Sequence, residues 1–513
     1  MKIAISLLIA ASSLSLPSIA DAQQADRGGG FVVVREASDE MGNAAAAQSR
    51  RIEQLDNAGP ELNAVIAHLP PEAARQVAIA VRGTALDGRT VLVKDNIETR
   101  EFPTTAGSQA LAENDTGRDA PLIERLRQNG GVVLGKTNLS EWANFRSTGS
   151  SSGWSAVGGI TRNPHAIDRN SCGSSSGSGA AVAAGLSWGA IGTETNGSIT
   201  CPASMNGVVG LKPTVGLVSQ AHIVPISHTQ DTAGPMTRSV YDAALLLSAI
   251  AGPDYGEIGE GDLLFDFTAG LETASLDGVR IGVIRNRSGG FAPLEAIYEQ
   301  ALADLEAQGA VLVDIDYDAN NAMGGASFTV LLYEFREGID AYLQSSPADI
   351  PVRSLEELIT FNEANADAEM RWFDQDLFHM ALGTTDRAEY EEARATALRL
   401  AGPEGLDRML AENDVAFVVA PTRGPAWVTD LVNGDNYRGS VGAGSLAAIA
   451  GYPHLTVPMG HIEGLPVGIS FMGAAWDDHA ILQAGAAYER SRTAELAVPD
   501  MERWEPSPLP NTD

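Results

Sequence analysis

The chain has almost no lysine and almost no cysteine. Of its 513 residues only Lys2, Lys94, Lys136 and Lys212 are lysines, so 30 of the 34 bases (34 less 4) are arginines. Two cysteines are too few for a disulfide-stapled scaffold or a cysteine-rich zinc or iron–sulfur site. The eight histidines offer no pair at metal-ligand spacing on a clear helix face, so the sequence implies no metal. Positive charge is scarce overall: 34 bases against 66 acids leave a net charge of −32. Like charge repels phosphate, which argues against nucleic acid or an anionic membrane as partner. Beyond residue 22 no apolar run is long enough to cross a bilayer, so no membrane insertion is expected.

What is present reads as globular. Hydrophobic residues make up 44% and charged residues 19%, enough to build a core, in two or three domains or one large α/β domain. Lys2, the apolar stretch Ile3 to Leu16 and the small-x-small pattern Ala20-Asp21-Ala22 read as a signal peptide over residues 1–22. A periplasmic or secreted protein is therefore expected. Residues 23–42 are Gly-rich and polar, a loose lead-in. Ala44 to Asn57 reads as a helix, and Thr90 to Val93 as a buried strand reaching Lys94. Pro121 to Asn129 reads as a helix and Val132 to Leu134 as a strand. Strands at Val279–Ile284 and Val311–Ile315 flank a helix at Leu294–Gln308, and Val415–Val419 is a further core strand. This alternation predicts α/β layering. Residues 350–400 are polar and helical, part of a peripheral excursion over about 320–400.

The three lysines beyond residue 22 all fall between residues 90 and 215. Where lysine is otherwise avoided, a retained one points to a task arginine cannot perform, above all losing its proton. The same region holds a dry interior. Between Asn170 and Lys212 the only charged residue is Glu194, where the chain-wide 19% would give about eight. Ala180 to Leu186 has no polar face, as in a helix buried all round.

Two serine sites stand in that interior. Cys172-Gly173-Ser174-Ser175-Ser176 opens the small-residue helix. Gly192-Thr193-Glu194-Thr195-Asn196-Gly197-Ser198 follows an apolar run and precedes Pro202. Helix capping is the commoner use of serine at such positions, and spacing alone favours it. The other use is attack on a carbonyl, with backbone N–H groups of residues 195–198 as an oxyanion hole. A serine nucleophile needs a base. His222 and His228 are the nearest histidines, but nothing in their pattern nominates them. A buried lysine, relayed by a second serine, would need its pKa brought from about 10.4 to roughly 7 or 8.

At these residues the chain resembles the amidase signature family of serine hydrolases. The likeness rests on Gly173 to Pro213, with Val91–Ile97, Gly135–Ala143, Asp231–Ser239, Ala450–Pro453 and Leu455–Ile469, and covers about 400 residues. Within that family it looks most like bacterial peptide amidases. The resemblance implies a single α/β amidase domain over residues 23–513, with a mixed central sheet covered by helices on both faces and a signature core at about 90–240. It implies Lys94 as base, Ser174 as a bridging serine after a cis peptide bond, and Ser198 as nucleophile. Thr195, Asn196, Gly197 and Ser198 take the oxyanion-hole positions. No cofactor is implied. The substrate would be a peptide or small-molecule amide and the protein a monomer. Asn196 departs from the family, which often has Gly there, and is expected to alter hydrogen bonding beside the hole.

An alternative is an aryl-acylamidase or esterase acting on small amides or anilides, with an identical core. A transamidating glutaminase subunit fits poorly with an export signal, and a non-catalytic binding protein with the retained Lys94, Ser174 and Ser198. Neighbouring catalytic serines would bring Cys172 and Cys201 close. They then form a disulfide or remain two buried thiols; their commonly buried character favours the thiols.

Overall fold

The computed structural model describes residues 31–81, 83–252 and 265–506. The expected signal peptide, residues 1–22, lies outside them. So does the start of the lead-in. Its remainder is helical: α1 runs from Phe31 to Leu55, well ahead of the expected start at Ala44. Gly42 does not break it. A side chain there would meet Ile79 at 2.7 Å, so the glycine is where α2 (Pro71–Ala80) packs across α1.

One mixed eleven-stranded sheet organises the chain. In chain order its strands are β1 (Val65–His68), β2 (Thr90–Lys94), β3 (Val132–Thr137), β4 (Gly189–Glu194), β5 (Val209–Lys212) and β6 (Thr232–Thr237). They continue with β7 (Arg280–Val283), β8 (Val311–Asp314), β9 (Phe417–Pro421), β10 (His454–Ile462) and β11 (Leu465–Met472). Their order across the sheet is β1-β3-β2-β4-β6-β5-β10-β11-β9-β7-β8. β2 pairs in parallel with both β3 and β4, as β7 does with β9 and β8; the other neighbours are antiparallel.

Side-chain alternation along the strands gives the sheet two buried faces. Val91 and Val93 turn to one face. There they pack with the helices α3 (Pro121–Gln128), α6 (Val240–Ile250) and α7 (Ala292–Ala307), together with residues 478–491. Leu92 turns to the other face, under α1, α2, the small-residue helix α4 (Ser176–Ala183) and the short α5 (Thr200–Met205). α4 lies hard against the backbone. A Cβ on Gly177 would sit 2.2 Å from the Ala64 carbonyl oxygen and 2.6 Å from that of Asn138. Only glycine permits that approach.

The segment expected to be a peripheral excursion has a second role. α8 (Asn321–Ser345), α9 (Leu355–Ala364), α10 (Ala366–Glu369), α11 (Asp376–Gly383) and α12 (Arg387–Ala401) present polar faces outward. Inward, Phe335, Ile339 and Leu343 join Leu355, Leu358 and Phe378 in an apolar core closed by Trp142 and Phe145 of the main body. The excursion is thereby a wall beside the sheet ends that carry Lys94 and Glu194.

Candidate active site

β2 delivers Lys94 into the interior. It is fully buried, and its Nζ lies 2.7 Å from Ser174 Oγ, 2.8 Å from Thr193 Oγ1 and 3.2 Å from the Thr193 carbonyl oxygen. Asn96 Nδ2 donates to the same Thr193 hydroxyl at 3.0 Å and fixes it. Burial lowers the amine from its ordinary 10.5 to about 7, against the charges of Asp231 and Glu194, which hold it up. A neutral amine has two hydrogens and one lone pair. The Thr193 carbonyl can only accept, so the lone pair is free to take the Ser174 hydroxyl proton.

The two serine segments are tied together. A cis peptide bond joins Gly173 to Ser174. The Ser174 carbonyl accepts from Ser140 N–H at 3.0 Å, and Ser175 N–H donates to the Ser198 carbonyl at 3.1 Å. Neither Ser174 nor Ser198 caps a helix, contrary to what spacing favours. The residue preceding α4 is Ser175, without a side-chain cap bond, and α5 is preceded by Ile199. Glu194 does the capping instead: its Oε2 accepts from Ile199 N at 2.7 Å and Thr200 N at 2.9 Å. A carboxylate five residues upstream satisfies those donors better than a neutral hydroxyl does, and its charge complements the helix N-terminus.

The loop between β4 and α5 is held open. Gly197 adopts φ +89°, a conformation suited to glycine. The N–H groups of Asn196, Gly197 and Ser198 donate to no other group of the described residues. The Thr195 hydroxyl turns away and donates to Asp231, whose other oxygen accepts from Ile226 N at 2.8 Å and Ser227 N at 2.9 Å. Burial raises the Asp231 carboxyl to about 6, opposed by those hydrogen bonds. The exposed Asn196 side chain accepts from Ser445 Oγ at 3.2 Å, so its bonding is directed outward rather than into the hole.

Two cavities meet here. One, of about 240 Å³, holds Ser198, Gly173 and the 195–197 loop, with Arg423, Trp427 and Tyr437 at its far side. The other, of about 290 Å³, is lined by Asp231, Thr193 and Val224, and by Gly338 and Tyr342 of α8. Ala143, Thr195 and Ile226 border both.

Cys172 and Cys201 form a disulfide, which corrects the favoured expectation of two free thiols. Cys172 precedes Gly173, and Cys201 lies in the first turn of α5. The bond between Ser175 and Ser198 brings their Cα atoms to 6.0 Å, within bridging range. Lys136 and Lys212 act as donors. Lys136 contacts Asp95 Oδ1 at 3.1 Å and donates to Ile97 O and Thr104 Oγ1, each at 2.8 Å. Lys212 donates to Pro213 O at 3.0 Å. His222 and His228 line the second cavity, not the one holding Ser198. Among the described residues no cluster of His, Cys, Asp or Glu has metal-binding form.

Several residues escaped sequence reasoning: Thr193 and Asn96 beside the lysine, Glu194 as a cap, Asp231 as the anchor of Thr195, and Arg423. Glu194 carried a signal, as the lone charge of the dry interior. Asp231 and Arg423 join the site only across the fold.

Residues 47–482 match the Amidase family profile. A probable amidase of Arabidopsis thaliana is 36% identical over 86% of this chain and 85% of its own length. The structure of native peptide amidase from Stenotrophomonas maltophilia superposes with a TM-score of 0.84 at 45% identity, covering 91% of this chain and 97% of that one. A structure of the peptide amidase PAM in complex with the competitive inhibitor chymostatin gives 0.84 at 46% identity, over 89% and 95%. The mixed sheet, the signature segment and these matches agree: the chain belongs to the amidase signature family, hydrolases of the amide C–N bond.

Proposed function

We propose that this amidase removes the C-terminal carboxamide of peptides through an acyl-enzyme on Ser198. The observation that carries the reading is the Lys94 amine, dry, lowered to about 7 and 2.7 Å from the Ser174 hydroxyl. Neutral Lys94 takes the Ser174 proton as Ser174 takes that of Ser198. Ser198 Oγ then attacks the amide carbonyl, and the unengaged N–H groups of residues 196–198 receive the oxyanion. The C–N bond breaks as the proton returns through Ser174 to the nitrogen, and ammonia leaves. Water enters, gives its proton to the same relay and releases the acid.

Peptides are favoured over small amides on two grounds. Two solved structures at 45% and 46% identity are of peptide amidases. The two adjoining cavities extend beyond what a single small amide needs. The disulfide supports an oxidising compartment, in line with the signal peptide read at residues 1–22. Ammonia or aniline release from peptide amides, free amino-acid amides and anilides tests the reading. Peptide amides should give the highest kcat/KM. Preference for anilides would overturn it in favour of an aryl-acylamidase.

A further inference from the structure

Arg423 follows β9 and reaches the cavity of Ser198. Its Nη2 lies 3.7 Å from where a Cβ on Gly197 would stand, beside the loop that precedes the nucleophile. Among the described residues it makes no ion pair and donates no hydrogen bond. Its guanidinium carbon stands over the ring of Tyr437, 5.7 Å from the ring centre. One carboxylate does share the cavity, Asp435. It is already engaged: Oδ1 accepts from Ser152 N at 3.0 Å and Trp427 Nε1 at 3.2 Å, and Oδ2 from the Ser152 hydroxyl. The cavity wall thus presents a guanidinium with no direct carboxylate partner among the described residues, its planar donors suited to a carboxylate.

We propose that Arg423 binds an acidic side chain on the substrate residue that carries the scissile amide, so that the enzyme prefers peptide amides ending in a glutamyl or aspartyl residue. This rests on the peptide-amide reading above. The carbonyl of that residue must sit at Ser198, and its side chain leaves the attacked centre one bond away. The guanidinium flanking Gly197 is therefore within the range of a two- or three-carbon acid. A cation there also balances the negative field of the chain, which would otherwise repel such a substrate. A hydrogen bond to a charged group at a half-buried site is worth about tenfold in kcat/KM at the low end of its usual range.

The test compares isosteric pairs: one acylated dipeptide amide ending in Glu-NH2 and its partner ending in Gln-NH2, with a Lys-NH2 analogue, assayed by ammonia release at low salt. Wild-type enzyme should favour Glu over Gln by about tenfold, and the ratio should shrink as salt is added. Arg423→Gln should bring the ratio to about one, Arg423→Lys should keep part of it, and Arg423→Glu should shift preference toward Lys-NH2. A residue serving only to hold the loop would lower all three substrates alike and leave the ratio unmoved. Equal turnover of the Glu and Gln amides by wild type, or an unchanged ratio in Arg423→Gln, overturns the assignment of Arg423 alone. No turnover of any peptide amide overturns the peptide reading and this proposal with it.

Discussion

The lysine base makes the sharpest demand on solution behaviour. An ordinary amine at 10.5 leaves about one molecule in three thousand neutral at pH 7, whereas one at about 7 leaves roughly half. That difference corresponds to on the order of 5 kcal/mol of desolvation, net of the attraction from Asp231 and Glu194. Because the active form is the neutral one, kcat/KM should rise with pH, tenfold per unit, through a midpoint near 7 and then level off. At pH 5 it should stand about a hundredfold below the plateau. Lys94→Ala should lower the plateau by about 10²–10⁴, the usual worth of a general base. Lys94→Arg should do no better, since a guanidinium keeps its proton throughout this range. The assay is ammonia release between pH 5 and 9 at constant ionic strength. A midpoint above 9, or Lys94→Arg with a large fraction of the wild-type rate and an unchanged profile, would refute the proton-transfer role.

Four further outcomes are expected. Ser198→Ala should abolish turnover with an unchanged fold by circular dichroism, while Ser174→Ala should leave a small residual rate, because water can stand in for the relay. Asp231→Asn should move the pH midpoint downward, since the Asp231 charge holds the Lys94 amine up, and should lower kcat, because one amide oxygen cannot accept both from the Thr195 hydroxyl and from the Ile226 and Ser227 N–H groups; a midpoint that stays put would separate Asp231 from the base. Thiol titration of the unfolded, unreduced protein should find no free thiol, and reduction should cost about 3–4 kcal/mol of stability for a cross-link spanning 29 residues, read by denaturant titration. Gly177→Ala should lower Tm sharply or abolish soluble expression, because its Cβ has only fixed backbone to displace.

The regular elements were legible where local pattern dictates them. The strand at Thr90–Val93, the helix at Pro121–Asn129 and the strand, helix, strand series from Val279 to Ile315 all appear within a few residues of their expected bounds. Apolar alternation and terminal proline or glycine act over a few residues and need no distant partner. α1 was misjudged because composition alone does not tell a loose Gly-rich segment from one that accepts a single glycine where another helix crosses. The apolar side of the 320–400 helices was missed for a similar reason. Their inward residues are spread among many acids, and their partners, Trp142 and Phe145, lie some 200 residues upstream.

At the site, sequence by itself determined which groups could do the chemistry. Lysine scarcity singled out three amines, and a charge-poor glycine-rich interior marked where one of them would be dry. It did not determine which serine would be free to react. That depended on Glu194 reaching forward to cap α5, a geometric fact set by the turn at Gly197. Nor could it pair Cys172 with Cys201, because only the bond between the serine segments brings their Cα atoms within reach. Asp231 and Arg423 lie 36 and 228 residues beyond Thr195. Their roles exist only once β4, β6 and β9 share a sheet, because charge and hydrogen bonding act through space over a few ångströms and not along the chain.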